Sequence, residues 1–349
     1  ILKQYHRRTP IVPDNNEKPK LNLLQAVVKS TRLPWYWFAV LVTSALLLFL
    51  IIATLLDGEA DSFNQWDFWR QFLGAPLLVG YILLIFPYMQ KLSNMAINTF
   101  IELQINRDAD PAESVFLPRR RWEWTAFTIG AAFWVLIQVP WRWEWGEEGW
   151  WLYLYALITF AILFGLLGWL IYYSFAESGH INKLSRRKLN IDIFDTVALT
   201  PVARSSLGTS FAFIGGISIS LFFQTVDSLL TWTNITIYSV LVLATLLIFF
   251  LSIWSTHRTM ADAKHEELSL VRRRLEECIR QLRNLALTEQ SENNDQLNTA
   301  VAAWGTYESR VREIREWPFN ADILRRLGAS ILVPGAVYLI KVLVGMRIM

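Results

Sequence analysis

The residues best placed to do chemistry lie in Gly208 to Asp227, GTSFAFIGGISISLFFQTVD, a run apolar enough to enter a bilayer yet carrying hydroxyls, glycines and an amide. At about 100° per residue, Ser205, Ser206, Thr209, Gly216, Ser220, Gln224 and Asp227 share one helical stripe, while Phe211, Ile214, Ile217, Ile219 and Phe222 lie off it. Such a stripe has two uses. Small and hydroxyl residues let helix backbones approach and bond across a bundle or to their own preceding turn. The same residues, extended by Gln224 and Asp227, also suit a face bathed in water, so Ser206, Thr209, Gly216, Ser220, Gln224 and Asp227 are the candidate lining of an ion path. A second set, Asp57, Glu59, Asp61, Asp67, Glu144, Glu147, Glu148 and Asp227, faces only Arg70 and Arg142 in the same loops. Grouped at one mouth, these carboxylates would concentrate cations; scattered, they only solvate a surface.

Other chemistry finds little support. The chain has no GxxxxGK[ST], GxSxG or HExxH, and no GxGxxG after a strand, so no enzyme class is indicated. His257 and His265 are separated by about 80° on one helix, which is not the spacing of two metal ligands. Asp192 and Asp195 sit in a basic loop, where capping and solvation are the commoner uses of a carboxylate. Cys278 is the only cysteine, which excludes an intrachain disulfide and a thiolate cluster. No cofactor or metal is expected.

The elements that must hold these residues are helices in a membrane. Hydrophobic residues make up 53% of the chain and charged residues 18%, with a mean hydropathy of +0.30, values of a polytopic membrane protein. Spans are expected at Trp35–Leu56, Leu73–Gln90, Trp122–Trp141, Trp150–Phe175, Ser206–Phe223 and Ile235–Ser255, each near the length that crosses about 30 Å of hydrocarbon. A seventh run, Leu327–Gly345, is broken by Pro334 and Gly335 and carries Lys341. Lys91, Arg107, Arg119, Arg120 and Arg121 follow the second span, and Lys183, Arg186, Arg187, Lys188 and Arg204 the fourth, which predicts that these loops and the N-terminus are cytoplasmic. Residues 1–33 are polar and basic, without the apolar run of a signal peptide. The chain contains 17 Trp, most of them at expected span ends, which reads as an interfacial belt rather than a ligand cage.

Three local features complete the expectation. DSFNQWDFWRQF, Asp61 to Phe72, has a helical period and predicts a short interfacial helix, and Thr200 with Pro201 predicts a helix start. After the sixth span the chain becomes charged, with Leu268, Val271, Leu275, Cys278, Leu282 and Leu285 alternating three and four residues apart as a coiled-coil seam. TEQSENND then reads as a turn and Leu297, Val301, Trp304 and Val311 as a return arm. The expected organisation is a 1–33 cytoplasmic segment, a 34–256 bundle of three hairpins, a 257–317 cytoplasmic helical hairpin and a 318–349 membrane-associated or spanning helix. The function these features predict is a homo-oligomeric, cation-leaning channel whose fifth span borders the pore, with the hairpin assembling or gating it. The rival expectation is a non-conducting membrane scaffold or signalling subunit that docks a cytoplasmic protein through the hairpin. The bilayer and further copies of the chain are the expected partners, and nucleic acid is not.

Overall fold

The computed structural model describes residues 22–104, 118–138, 149–187, 199–224, 231–287 and 294–314, with a few single positions outside these ranges. They form eight α-helices among the described residues: α1 Leu23–Thr31, α2 Trp35–Leu56, α3 Trp66–Glu102, α4 Arg120–Gln138, α5 Trp150–Ser185, α6 Thr200–Phe223, α7 Trp232–Leu287 and α8 Asn294–Glu313. A short 3-10 turn, Ala60–Asn64, joins α2 to α3. Five helices, α2, α3, α5, α6 and α7, are long and apolar enough to cross a membrane.

The expectation of six spans differs in α4. Its first turn holds Arg120, Arg121 and Glu123, which shortens the apolar run. The end of the expected span, residues 139–141, and most of the 327–345 run lie outside the described residues. The expected short helix at Asp61–Phe72 is not separate either. Trp66 to Phe72 form the first two turns of α3, because no breaker intervenes before Gly74. Thr200 is the first residue of α6 rather than its cap, with Leu199 preceding it.

Length sets the architecture. At 37 and 36 residues, α3 and α5 reach about 55 Å each, well past about 30 Å of hydrocarbon. Their far ends pack in a second core, Ala96, Ile97 and Phe100 with Ile181 and Leu184, closed by Leu199, Val202 and Met260. That end carries Lys91, Arg120, Arg186 and Arg204 and is called the basic end. The other, with Asp57, Asp61 and Asp67, is the acidic end. Exposed tryptophans ring both: Trp66, Trp150, Trp151 and Trp232 at the acidic end, Trp37, Trp122, Trp124 and Trp254 at the basic end.

Small residues bring α4 and α5 to backbone contact. A Cβ on Gly168 would lie 2.8 Å from the Ala126 carbonyl, and one on Gly130 would meet the Phe164 carbonyl. Trp134 of α4 then stacks on Phe160 and Phe164 of α5, with ring centroids 4.7 and 5.0 Å away. At the basic end, α1 is capped by Asn22 in a capping box with Gln25 and buries Leu23, Leu24 and Val28. Glu123 of α4, itself fully buried, accepts the Leu23 N–H at 3.1 Å and the Trp169 indole N–H at 3.3 Å. Residues 22–31 are thus part of the bundle, not of a free terminal segment.

The expected boundary at residue 257 falls inside α7, one continuous helix of 56 residues that runs from the apolar bundle into the charged arm. Thr259 donates to the Ser185 carbonyl where α7 passes the end of α5. Farther on, α8 lies along α7. Lys264 donates to the carbonyls of Arg312 and Ile314, Tyr307 donates to Glu267 at 2.9 Å, and Arg272 pairs with Glu308 at 3.3 Å. Val271 and Val311 are fully buried between these contacts. Leu268, Leu275, Cys278 and Leu282 are half-buried, while Arg272, Arg273, Arg274 and Ile279 are exposed. The side chain of Leu285 and the connection 288–293 lie outside what is described. His265 lies against its own Ala261 carbonyl and His257 beside Trp254, so the two histidines have separate surroundings.

Candidate functional site

The described bundle encloses a cavity of about 840 Å³ toward its acidic end. α3 forms the back, α5 with Trp134 and Ile137 of α4 one wall, and α6 with α7 the other. α4 packs on α5 among the described residues. The depth is apolar, lined by Leu78, Ile82, Leu163, Leu167, Leu170 and Phe213. The mouth is polar, lined by Asp67, Arg70, Gln71, Gln224, Ser228 and Asn234.

Glycine placement makes this shape. Gly215 of α6 leaves room for the Tyr81 ring, since any Cβ there would meet the Tyr81 hydroxyl, and that hydroxyl donates to the Ala212 carbonyl at 2.9 Å. Tyr81 thereby ties α3 to α6 and forms part of the lining. Nearer the mouth, Gly74 admits Phe223, whose Cβ would be 2.9 Å from an added methyl. Ser220 and Tyr238 share a hydrogen bond of 2.7 Å across α6 and α7. At the mouth, Arg70 donates to the Gln224 carbonyl at 3.0 Å and lies 3.7 Å from Asp67, which sets a cation against the C-terminus of α6. Ser228 donates to the Gln224 side chain at 2.6 Å, and Asn234 donates to the Ser228 carbonyl.

The polar stripe read from the sequence is therefore not one surface. Gly216, Ser220 and Gln224 line the cavity. Ser206 and Thr209 are 3% and 5% exposed, and Ser206 donates to the Val202 carbonyl of its own helix. Gly208 abuts Leu92 of α3. The basic-end half of the stripe packs helices, and the acidic-end half faces space inside the same chain. On α6, Phe211 and Phe222 are exposed, whereas Ser206 and Thr209 are buried within the chain.

The acidic residues divide as well. Asp57 is engaged in structure: its carboxylate accepts the backbone N–H of Trp151 and of Leu152 at the start of α5. Glu59 is half-buried, Asp61 is exposed, and Asp67 alone of the described set lines the cavity. Glu144, Glu147, Glu148 and Asp227, like Asp192 and Asp195, lie outside the described residues.

Sequence reasoning did not single out Tyr81, Glu123 or Glu177. Glu177 looks like the charged end of a span in SFAESGH, yet α5 continues eight residues past it. Its spacing of four from Tyr173 and eight from Trp169, both fully buried, was the available signal that it faces inward. The class defined by fold and cavity is an all-helical protein with five membrane-length helices, four of which, α3, α5, α6 and α7, line an amphipathic pocket. Comparison with known protein families, with curated proteins and with solved structures finds no match.

Proposed function

We propose that the chain is an integral membrane protein that binds an amphiphilic molecule, drawn from the bilayer, in the cavity between α3, α5, α6 and α7. The observation that carries this reading is the polarity of the cavity: apolar walls in depth, with Arg70, Asp67, Gln224 and Asn234 gathered at one mouth. A volume of 840 Å³ lies within the range of about 300–1,000 Å³ of small-molecule sites. An apolar tail drawn from the bilayer exchanges one apolar environment for another at little cost, whereas a hydrated ion there loses its hydration with no oxygen cage in return. The excess of Lys and Arg in the inner loops favours an arrangement with the mouth on the outer side of the membrane and α8 with the distal half of α7 in the cytoplasm as a helical hairpin.

Native mass spectrometry of protein released from gently solubilised membranes tests the reading. A retained mass in the lipid range is expected. Filling the depth with Ala156→Trp and Gly216→Leu should remove it while helicity stays unchanged; Gly216 tolerates a side chain, since an added Cβ would lie 3.5 Å from Tyr81. Retention by the filled variant would contradict the site.

One observation favours the channel reading in a narrower form: Gly216, Ser220 and Gln224 face a cavity at the acidic end. A conduction path would then run inside each chain rather than between copies. Planar-bilayer current that is altered by thiol reagents on Ser220→Cys in a Cys278→Ser background would support it, and absence of current would exclude it.

A further inference from the structure

Ser93 on α3 and Glu177 on α5 each lie 27 residues past the first residue of their helix, Trp66 and Trp150, so both sit about 40 Å from the acidic end. They meet Ser205 in the first turns of α6. All three are enclosed: Glu177 is 5% exposed, Ser93 1% and Ser205 3%. The hydroxyls of Ser93 and Ser205 reach the Glu177 carboxyl. Ser93 Oγ nevertheless completes no well-formed hydrogen bond, and neither does Ser174 Oγ, one turn earlier on α5.

The charge there has no counterpart. The cationic groups toward the basic end of the surrounding elements include Lys91 on α3, Arg120 and Arg121 on α4, Lys183 on α5, Arg204 on α6, and His257 and Arg258 on α7, and none of them pairs with Glu177 among the described residues. The groups nearest along α5 are Tyr173 and His180, and Glu123 on α4 adds a second carboxylate whose charge, like that of Glu177, reaches Tyr173. A carboxylate removed from water with no cation beside it must take up either a proton or a metal ion. One carboxylate balances one positive charge, and hydroxyl oxygens from two further helices are hard ligands of the kind alkali ions accept.

We propose that Glu177, Ser93 and Ser205 form a binding site for one dehydrated monovalent cation of sodium size, which competes with a proton for the carboxylate. The site joins α3, α5 and α6 at the level where the second core begins, so occupancy stabilises the packing of these three helices at the basic end. It is independent of what occupies the cavity, because no residue is shared between them.

Thermal unfolding of the full purified chain in sodium chloride against choline chloride, at equal ionic strength and at mildly acidic and mildly alkaline pH, tests the proposal. The midpoint should rise with the logarithm of sodium concentration once the site begins to fill, and the rise should be larger at alkaline pH, where the proton competes less. Glu177→Gln should abolish the sodium dependence. Ser93→Ala and Ser205→Ala should each keep it but shift it to sodium concentrations about tenfold higher or more. Equal midpoints in sodium and choline at both pH values would overturn the proposal, as would sodium dependence surviving in Glu177→Gln. Should Glu177→Gln not fold, an unchanged sodium midpoint in both serine variants would overturn it.

Discussion

Replacing Asp57 by Ala removes a cap that one membrane-length helix provides for another. α5 starts at Trp150 after Gly149, which has no side chain to cap it. Asp57, just past the end of α2, supplies the missing acceptor, with Oδ2 2.7 Å from the Leu152 nitrogen and Oδ1 3.1 Å from the Trp151 nitrogen. Losing an N-cap acceptor costs about 0.5–2 kcal/mol, and losing a negative charge from the positive end of a helix about 0.3–1 kcal/mol more. Water reaches this end of α5 and recovers part of the loss, so Asp57→Ala should cost about 2 kcal/mol and Asp57→Asn, which keeps an acceptor without the charge, about 1 kcal/mol.

Gly149→Ala provides the internal check. A Cβ at Gly149 would occupy the space of the Asp57 carboxyl, so this substitution displaces the cap without removing it. Its cost should largely vanish in an Asp57→Ala background, a coupling of about 1 kcal/mol or more. Reversible unfolding in mixed micelles measures all four species of the cycle. Costs that add independently, or an Asp57→Ala effect under about 0.5 kcal/mol, would show that the carboxylate is a solvated surface charge and not the cap of α5.

Other outcomes follow from the same contacts. Val271→Asp buries a carboxylate between α7 and α8 and should destabilise by several kcal/mol, on the order of 3, whereas the exposed Arg273→Asp should leave the unfolding midpoint nearly unchanged. Equal effects would refute the packing of α8 on α7. Glu308 is held below its ordinary value of 4.5 first by its hydrogen bonds to Arg312 and Arg272 and then by their charges. Its folded state is the weaker proton binder, so the stability it contributes is present above 4.5 and fades as pH falls through that value and below. Glu308→Gln should remove that acid-side slope from the α7–α8 pair, as followed by hydrogen exchange across residues 264–312.

The helices themselves were legible because membrane-length apolar runs, terminal tryptophans and a seam of Leu268, Val271, Leu275 and Leu282 each follow from burial periodicity alone. What stayed hidden is where helices continue. Hydropathy marks the hydrocarbon and not the helix, so α3 and α5 were read as ending near Gln90 and Phe175 although both run on into a second core. That extension encloses Glu177 with Ser93, a meeting of residues far apart in sequence that no local pattern encodes. The stripe on α6 illustrates the same limit. Which neighbour each of its residues meets depends on α3, whose Tyr81 is admitted by Gly215, and Ser206 packs while Ser220 borders space. Likewise an acidic residue at a loop, such as Asp57, does not reveal from sequence that its acceptors point at another helix.

The most direct measurement of the central claim is a structure of the full chain in nanodiscs made from native membrane lipid. Elongated density should fill the cavity, with its apolar end against Leu163, Leu167 and Leu170 and its polar end beside Arg70 and Asn234. A cavity closed by inward movement of α7, or one filled only by ordered water that continues toward the basic end, would contradict amphiphile binding.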